Sequence, residues 1–409
     1  MTSGELTAPA PSESDSASFA VAPNLTPPPG NPRFPLLDSM RAIAALCVFA
    51  GHTVTGTYTL AEHPTRFVLA TQVADEGVAI FFLISGFLLY RPFLTARRGR
   101  RLSLAGYARR RVLRIVPAYW GALSIFLLLG VVRGVNGGNW WIFYGFGQIY
   151  RFNTVGSGIG VAWTLCIEVT FYAALPLFAL AAARLGRDSR VGDVVLLVAL
   201  ASASLAYRAH FNSIFDLAKV STLAGTFFWF ALGMALALAT VGGRSVSRSS
   251  ALGERIPHWP ALSWTVALVL FVALHELVQA TGWLGSAFVG VATHAVYGLV
   301  ALFLLLPAVF AEGAGGRVRR MLNTRPLAWI GLVSYGFYLY HTIVIAQLNR
   351  FLRDHGIGER YVIVTIGALV LSLLCAALSF YLLERPLMRL GARRSPSPRR
   401  VGRFRGHAR

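Results

Sequence analysis

The stretch YVIVTIGALVLSLLCAALSFYLL, from Tyr361 to Leu383, runs for 23 residues without one charged side chain. At ~1.5 Å of rise per residue a helix of that length exceeds the ~30 Å hydrocarbon core of a bilayer. Nine further apolar runs precede it, near 36–58, 72–94, 115–133, 160–183, 192–208, 222–241, 262–280, 289–311 and 328–349. The whole composition agrees with them. Hydrophobic residues make up 55% of the 409-residue chain and charged residues 13%, with a mean hydropathy of +0.58. A soluble chain carries roughly 25% charged residues to cover its surface. The chain therefore reads as an all-α polytopic membrane protein with about ten transmembrane helices.

The shorter stretch 139–150, which opens Asn139-Trp-Trp-Ile-Phe-Tyr, is aromatic and too brief to cross. Aromatic side chains favour the membrane–water interface, so it reads as an interfacial or re-entrant segment. Residues 1–34 are rich in Pro, Ser, Ala and Thr and carry no basic residue before Arg33. Such a segment lacks the basic region of a secretory signal and cannot bury a core, so it is expected to be disordered. The membrane domain is expected over 35–390, followed by a basic tail over 391–409.

The net charge is +21, carried almost entirely by arginine. Its distribution argues for topology and against a nucleic-acid partner. With a cytoplasmic N-terminus, the inner segments carry 28 Lys and Arg and the outer loops 8. That asymmetry places both termini of this multi-pass chain in the cytoplasm. The tail, including Arg393-Arg-Ser-Pro-Ser-Pro-Arg-Arg, suits attraction to anionic headgroups. The three cysteines, Cys47, Cys166 and Cys375, all fall within apolar runs and lack metal-ligand spacing, so they read as packing residues and no metal is expected.

Polar residues inside spans are costly and mark candidate functional positions. Arg41 and His52 lie eleven residues apart in the first span, which is three turns plus about 20°. Both project from one face, roughly 16 Å apart along the axis. In the second span Asp75 and Glu76 read as solvated residues at the outer boundary, and Ser85-Gly86 as a small surface for close helix approach. Arg111 and Arg114 are three apart, neighbours on a helix at the cytoplasmic mouth, where two guanidiniums can clamp a phosphate. Glu168 is a lone carboxylate in the fourth span. Counted inward from residue 160, it lies about 12 Å below the outer edge, close to the depth expected of His52. Ser334, Tyr338 and His341 share a face of the ninth span. Glu384-Arg385-Pro386 reads as a cap at which Pro stops the tenth helix. His275, Glu276 and His294 stand without a constellation and read as packing or cavity-lining residues.

A histidine can take a proton from a hydroxyl nucleophile, and arginines can hold a phosphate-bearing donor. These roles fit group transfer from a cytoplasmic donor to a hydroxyl. They fit equally a proton-coupled exporter of a glycan or lipid, with His52 and Glu168 relaying protons. Composition and spacing leave both open.

Six motifs in order narrow the choice. They are Arg41-x10-His52, Phe81-Phe-Leu-Ile-Ser-Gly-Phe-Leu-Leu, Arg111-x-x-Arg114-Ile-x-Pro117-x-Tyr119-Trp120, Trp163-Thr-Leu-x-x-Glu168-x-x-Phe-Tyr172, Ser334-Tyr335-Gly-x-Tyr338-Leu-x-His341 and Glu384-Arg385-Pro386. Together they resemble the membrane acyltransferase family 3, across roughly residues 34–390. The resemblance implies an O-acyltransferase that moves an acyl group, usually acetyl from acetyl-CoA, to a hydroxyl of an extracytoplasmic glycan or secreted small molecule. It implies His52 as the catalytic histidine with Arg41 its motif partner and Glu168 a supporting carboxylate. Arg111 and Arg114 become the acyl-CoA arginines, and Trp163, Tyr172, Tyr338 and His341 the substrate-facing residues. Ala42 stands where the family often has Gly. No fused esterase-like domain is evident, so the acceptor is expected to meet the membrane domain directly or through a separate extracytoplasmic partner protein.

Overall fold

A helix pairs all its own backbone groups, which is what lets an apolar run of this length cross hydrocarbon. The computed structural model describes residues 34, 36–59, 61–99, 102–186, 190–211, 217–241, 259–281, 287–310, 316–358 and 360–393. Among the described residues there is no strand, and ten helices are long and apolar enough to span. They are α1 (Leu36–Thr57), α2 (Pro64–Ala96), α3 (Leu104–Leu128), α4 (Trp163–Leu185) and α5 (Val191–His210), then α6 (Leu223–Thr240), α7 (Trp259–Thr281), α8 (Ala287–Phe310), α9 (Arg325–Asp354) and α10 (Tyr361–Ser379). The multi-pass, all-helical reading holds. Residues 1–33 and 394–409, where the disordered segment and most of the basic tail were expected, lie outside the described residues.

The bundle is built outward from α2, with 72% of its apolar window buried, against 22% for α5, α7 and α10. α1 packs against α2 and α9, α2 also against α6 and α8, and α10 closes on α9. Lipid tails are as apolar as leucine, so these contacts depend on close packing between backbones. Two glycines show how close. A Cβ at Gly331 of α9 would stand 1.7 Å from the carbonyl oxygen of Asp38 in α1. A Cβ at Gly86 of α2 would stand 2.2 Å from that of Phe230 in α6, the approach expected of the Ser85-Gly86 step.

These contacts also set the register. Gly331 meets Asp38 while Gly56 meets Ile345, so α1 and α9 run parallel. Gly77 meets Ala44 while Gly51 meets Ala70 and Ala74, so α2 runs antiparallel to α1. Residues 70–77 of α2 therefore share the depth of residues 44–52 of α1.

Three boundaries differ from the sequence expectation, each for a local reason. α2 begins at Pro64, where a proline lacking an N–H costs nothing in the first turn, so Asp75 and Glu76 lie three turns inside the helix and Glu76 is buried. α3 begins at Leu104, capped by the Ser103 hydroxyl accepting the Gly106 N–H at 3.1 Å, so the arginine cluster is part of the helix. Pro386 does not stop the tenth helix. A π turn over Phe380–Glu384 resets the hydrogen bonding, and a further helix runs Arg385–Arg393 with Pro386 in its first turn, where proline is tolerated.

The aromatic stretch is not a span. It forms a short helix at Trp140–Tyr144 and a 3-10 turn at Gln148–Tyr150, and two further 3-10 turns follow, the last at Gly160–Ala162. Ile142, Phe143, Ile149, Ile159 and Ala162 are buried, and α3 ties the segment down. The Tyr119 hydroxyl donates to the Phe143 carbonyl at 3.0 Å and the Trp120 indole to that of Tyr144 at 2.9 Å. The segment thus folds inward, and α4 starts from within the bundle.

Candidate active site

The parallel register of α1 and α9 brings His52 against His341. Their Nδ1 and Nε2 atoms stand 2.8 Å apart, with the rings inclined by 27°. The other nitrogen of His341, Nδ1, lies 2.9 Å from the Tyr338 carbonyl and 3.2 Å from that of Phe337. A carbonyl only accepts, so His341 Nδ1 carries the proton and its Nε2 carries a lone pair. His52 Nδ1–H must then donate to it, which leaves the lone pair of His52 on Nε2. That atom has no hydrogen-bond partner among the described residues. His341 is buried and wedged by Phe337 and Tyr338, whereas His52 is half-buried. One ring is locked, the other presented.

A second layer lies on the arginine-rich side. Glu168 of α4 accepts from the Ser85 hydroxyl at 2.8 Å and from the Tyr172 hydroxyl at 2.6 Å, both on Oε1. The Arg111 guanidinium lies 5.9 Å from the Tyr172 ring centre, and its Nε has no hydrogen-bond partner. Arg41 is paired with Asp38 at 3.2 Å on its own helix and stands within electrostatic reach of Arg114, Glu168 and Tyr172. Glu384, buried at the end of the π turn, is within electrostatic reach of Arg114 and accepts from Ser379 at 3.1 Å. Five helices thus converge on one layer of alternating charge.

The two layers are stacked rather than merged. The Thr164 hydroxyl donates to the Tyr338 hydroxyl at 2.9 Å, and Tyr338 lies one turn before His341. Glu168 is a further turn along α4, so it stands about 10 Å from the depth of His52. The expectation of equal depth fails because residue 160, used as the outer edge, lies at the bottom of the inward-folded segment.

Comparison with known proteins supplies the family. A family model described as an acyltransferase domain matches residues 34–381. The chain belongs to this acyltransferase family. It is 29% identical over 377 residues to nodulation protein 10 of Rhizobium leguminosarum bv. viciae, covering 86% of this chain and 93% of that protein. It is 28% identical over 397 residues to the acyltransferase MdmB of Streptomyces mycarofaciens, covering 90% and 95%. It is 25% identical over 389 residues to the peptidoglycan O-acetyltransferase OatA of Listeria monocytogenes, covering 87% of this chain but 56% of OatA. The chain thus spans little more than half the length of that relative. No solved structure matches.

Set in this acyltransferase, the residues picked from sequence fall into three groups. His52 and His341 form the upper pair. Arg41, Arg111, Arg114, Glu168 and Tyr172 form the lower layer. Tyr338, bonded to Thr164 and to the Val161 carbonyl at 3.3 Å, and half-buried Trp163 stand between them. Both ring nitrogens of His341 are within hydrogen-bond distance of protein atoms, its Nε2 of His52 and its Nδ1 of two backbone carbonyls. Sequence reasoning missed Ser85 and Asp38 as members of the lower layer. Ser85 carries a hydroxyl on the face of α2 that meets α4, a signal hidden by its place in a small-residue step.

Proposed function

We propose that this acyltransferase moves an acyl group, most simply acetyl, from cytoplasmic acyl-CoA to a hydroxyl of an extracytoplasmic glycan or secreted small molecule. The observation that carries the reading is the tautomer forced on the His52–His341 pair, which leaves a free lone pair on His52 Nε2. The acceptor O–H gives its proton to that nitrogen as its oxygen forms a bond to the thioester carbonyl carbon. The C–S bond then breaks, and the proton passes from His52 to the departing CoA sulfur, so the cycle ends where it began. His341 Nε2 accepts from His52 Nδ1–H throughout, fixing the ring and stabilising the imidazolium that forms.

The donor fits the lower layer. Acyl-CoA is polyanionic, and the unpaired Nε of Arg111 together with Arg114 offers the fork geometry that phosphates favour. The count of 28 basic residues against 8 supports a cytoplasmic face on that side, with both termini inside, and the bacterial relatives support a bacterial plasma membrane as the location. Residues 35–390 make up the catalytic domain. The acceptor reaches His52 from the opposite face, directly or from a separate extracytoplasmic partner protein. One of the three relatives is named a peptidoglycan O-acetyltransferase, which supports acetyl as the group and a hydroxyl as the acceptor.

The test is mass spectrometry of envelope glycans and secreted metabolites from cells expressing wild-type protein or His52→Ala. One species losing an acyl-sized mass increment in the variant identifies both reaction and acceptor. Unchanged species, with the variant expressed at wild-type level, contradict the His52 mechanism. Proton-dependent export in place of CoA release would then be the activity to measure.

A further inference from the structure

A second group of polar side chains lies buried on the other side of α2. Gln72 and Glu76 of α2, and His294 and Tyr297 of α8, are 1%, 5%, 1% and 3% exposed. Six of their polar atoms have no hydrogen-bond partner: Gln72 Nε2, both Glu76 carboxylate oxygens, both His294 ring nitrogens and the Tyr297 hydroxyl. Asp75 and Arg208 complete the group. Tyr297 is within electrostatic reach of Asp75 and Glu76, and Arg208 within reach of Asp75 and His294. Arg208 also donates to the carbonyls of Val220 and Gly225, at 3.4 and 3.2 Å. His275 of α7 closes one side through its Nδ1, 2.7 Å from Gln72 Oε1. The Trp229 indole stacks on His294 with ring centres 4.1 Å apart.

Native proteins pair nearly all buried polar groups, because an unpaired one bears the full cost of leaving water. Four such side chains on two adjoining helices are therefore built for something that pairs them. The unpaired atoms are mixed in kind: amide and phenol donors, carboxylate acceptors, and an imidazole that can do either. Asp75 and Glu76 disfavour an anion, and Arg208 disfavours a cation. Carboxylate, amide, phenol and imidazole beside an aromatic wall suit a group that both donates and accepts and carries no charge.

We propose that this cluster is a binding site for an uncharged polyhydroxy group such as a hexose ring, within the membrane domain. It is distinct from the His52 site. The register of α1 and α2 puts residue 72 near the depth of His52 and residue 76 about a turn deeper, and the cluster lies where α2 packs on α7 and α8, whereas His52 pairs with α9. The proposal does not depend on the acyl-transfer reading.

The experiment uses full-length protein in lipid nanodiscs and dicyclohexylcarbodiimide, an apolar reagent that modifies buried carboxyls. Labelling at Glu76 is followed by peptide mass spectrometry, with Glu76→Gln as the blank. Methyl glucoside, N-acetylglucosamine and methyl rhamnoside are the probes, each titrated, with ethylene glycol as a non-sugar control. At least one sugar should slow labelling about fivefold or more at the top of its titration, as mass action requires of an occupied site. Tyr297→Phe should weaken that protection while leaving labelling without sugar intact. Unprotected labelling with all three sugars would mean the cluster holds only water, and overturns the proposal. Complete resistance of Glu76 to the reagent would mean a sealed cluster, and overturns it as well.

Discussion

The two halves of the bundle handle buried polarity in opposite ways. Between α1, α4 and α9 the groups that set the geometry are paired: His341 uses both nitrogens, Glu168 takes two hydroxyls, and Arg41 holds Asp38. Between α2 and α8, Glu76, His294 and Tyr297 are buried and their side-chain polar atoms have no hydrogen-bond partners. Pairing fixes geometry, which a reacting atom needs; leaving groups unpaired holds a place for a ligand at a cost in stability. A loss of geometry should therefore show as lost rate in the first half, and a loss of polarity as gained stability in the second.

The largest effect expected is from His52→Ala. Removing the general base should slow acyl-CoA-dependent transfer by about 10³-fold, at the middle of the range for such groups. CoA thiol release by the purified protein measures it, and a loss under tenfold would place the base elsewhere. His341→Ala comes next. Releasing the His52 ring should cost roughly 10–100-fold in kcat with little change in KM for the donor, as removal of an orienting partner does. His341→Asn should recover part of the rate, because its amide oxygen can still accept from His52 Nδ1–H. No difference between Ala and Asn would reduce His341 to packing.

Arg111→Ala and Arg114→Ala should raise KM for acyl-CoA about tenfold, roughly the worth of one charge-assisted contact, and leave kcat nearly unchanged. The split matters more than the size. A fall in kcat without a change in KM would detach the lower layer from the donor. The smallest effects are on stability, and here the halves should part in sign. Glu168→Leu strands the Ser85 and Tyr172 hydroxyls and should lower the melting temperature by a few degrees, about 1–3 kcal/mol. Glu76→Leu removes a buried carboxylate that nothing pairs and should raise it by a similar amount. Thermal unfolding in detergent compares them directly, and shifts of the same sign would erase the contrast.

The ten spans are legible in the chain because an apolar run of some 20 residues has few other places to go. Arg41 and His52 are legible for a related reason: charge and imidazole inside such a run are expensive, and helical spacing alone puts them on one face. What escapes the sequence is which helix faces which. The i, i+7 spacing of Ser334 and His341 shows a shared face but not that α1 lies against it. The register that delivers His341 to His52 is set by Gly331 meeting Asp38. The depth of Glu168 escapes because it depends on a loop that folds inward on buried Ile142, Phe143 and Ile159. Asp75 and Glu76 look solvated because the helix start at Pro64 lies eight residues before the apolar run that marks the span. The unpaired cluster needs α2 and α8 side by side, a tertiary fact with no local signature.

The claim on which the rest turns is that His52 and His341 act as one unit, one reacting and the other holding it. A double-mutant cycle measures this most directly, with acyl-CoA turnover by wild type, His52→Ala, His341→Ala and the double variant. Once the base is gone its holder has nothing to hold, so the double variant should turn over within about twofold of His52→Ala alone. If the two losses multiply instead, the histidines contribute independently, and the assignment of His52 Nε2 as the base held by His341 is wrong.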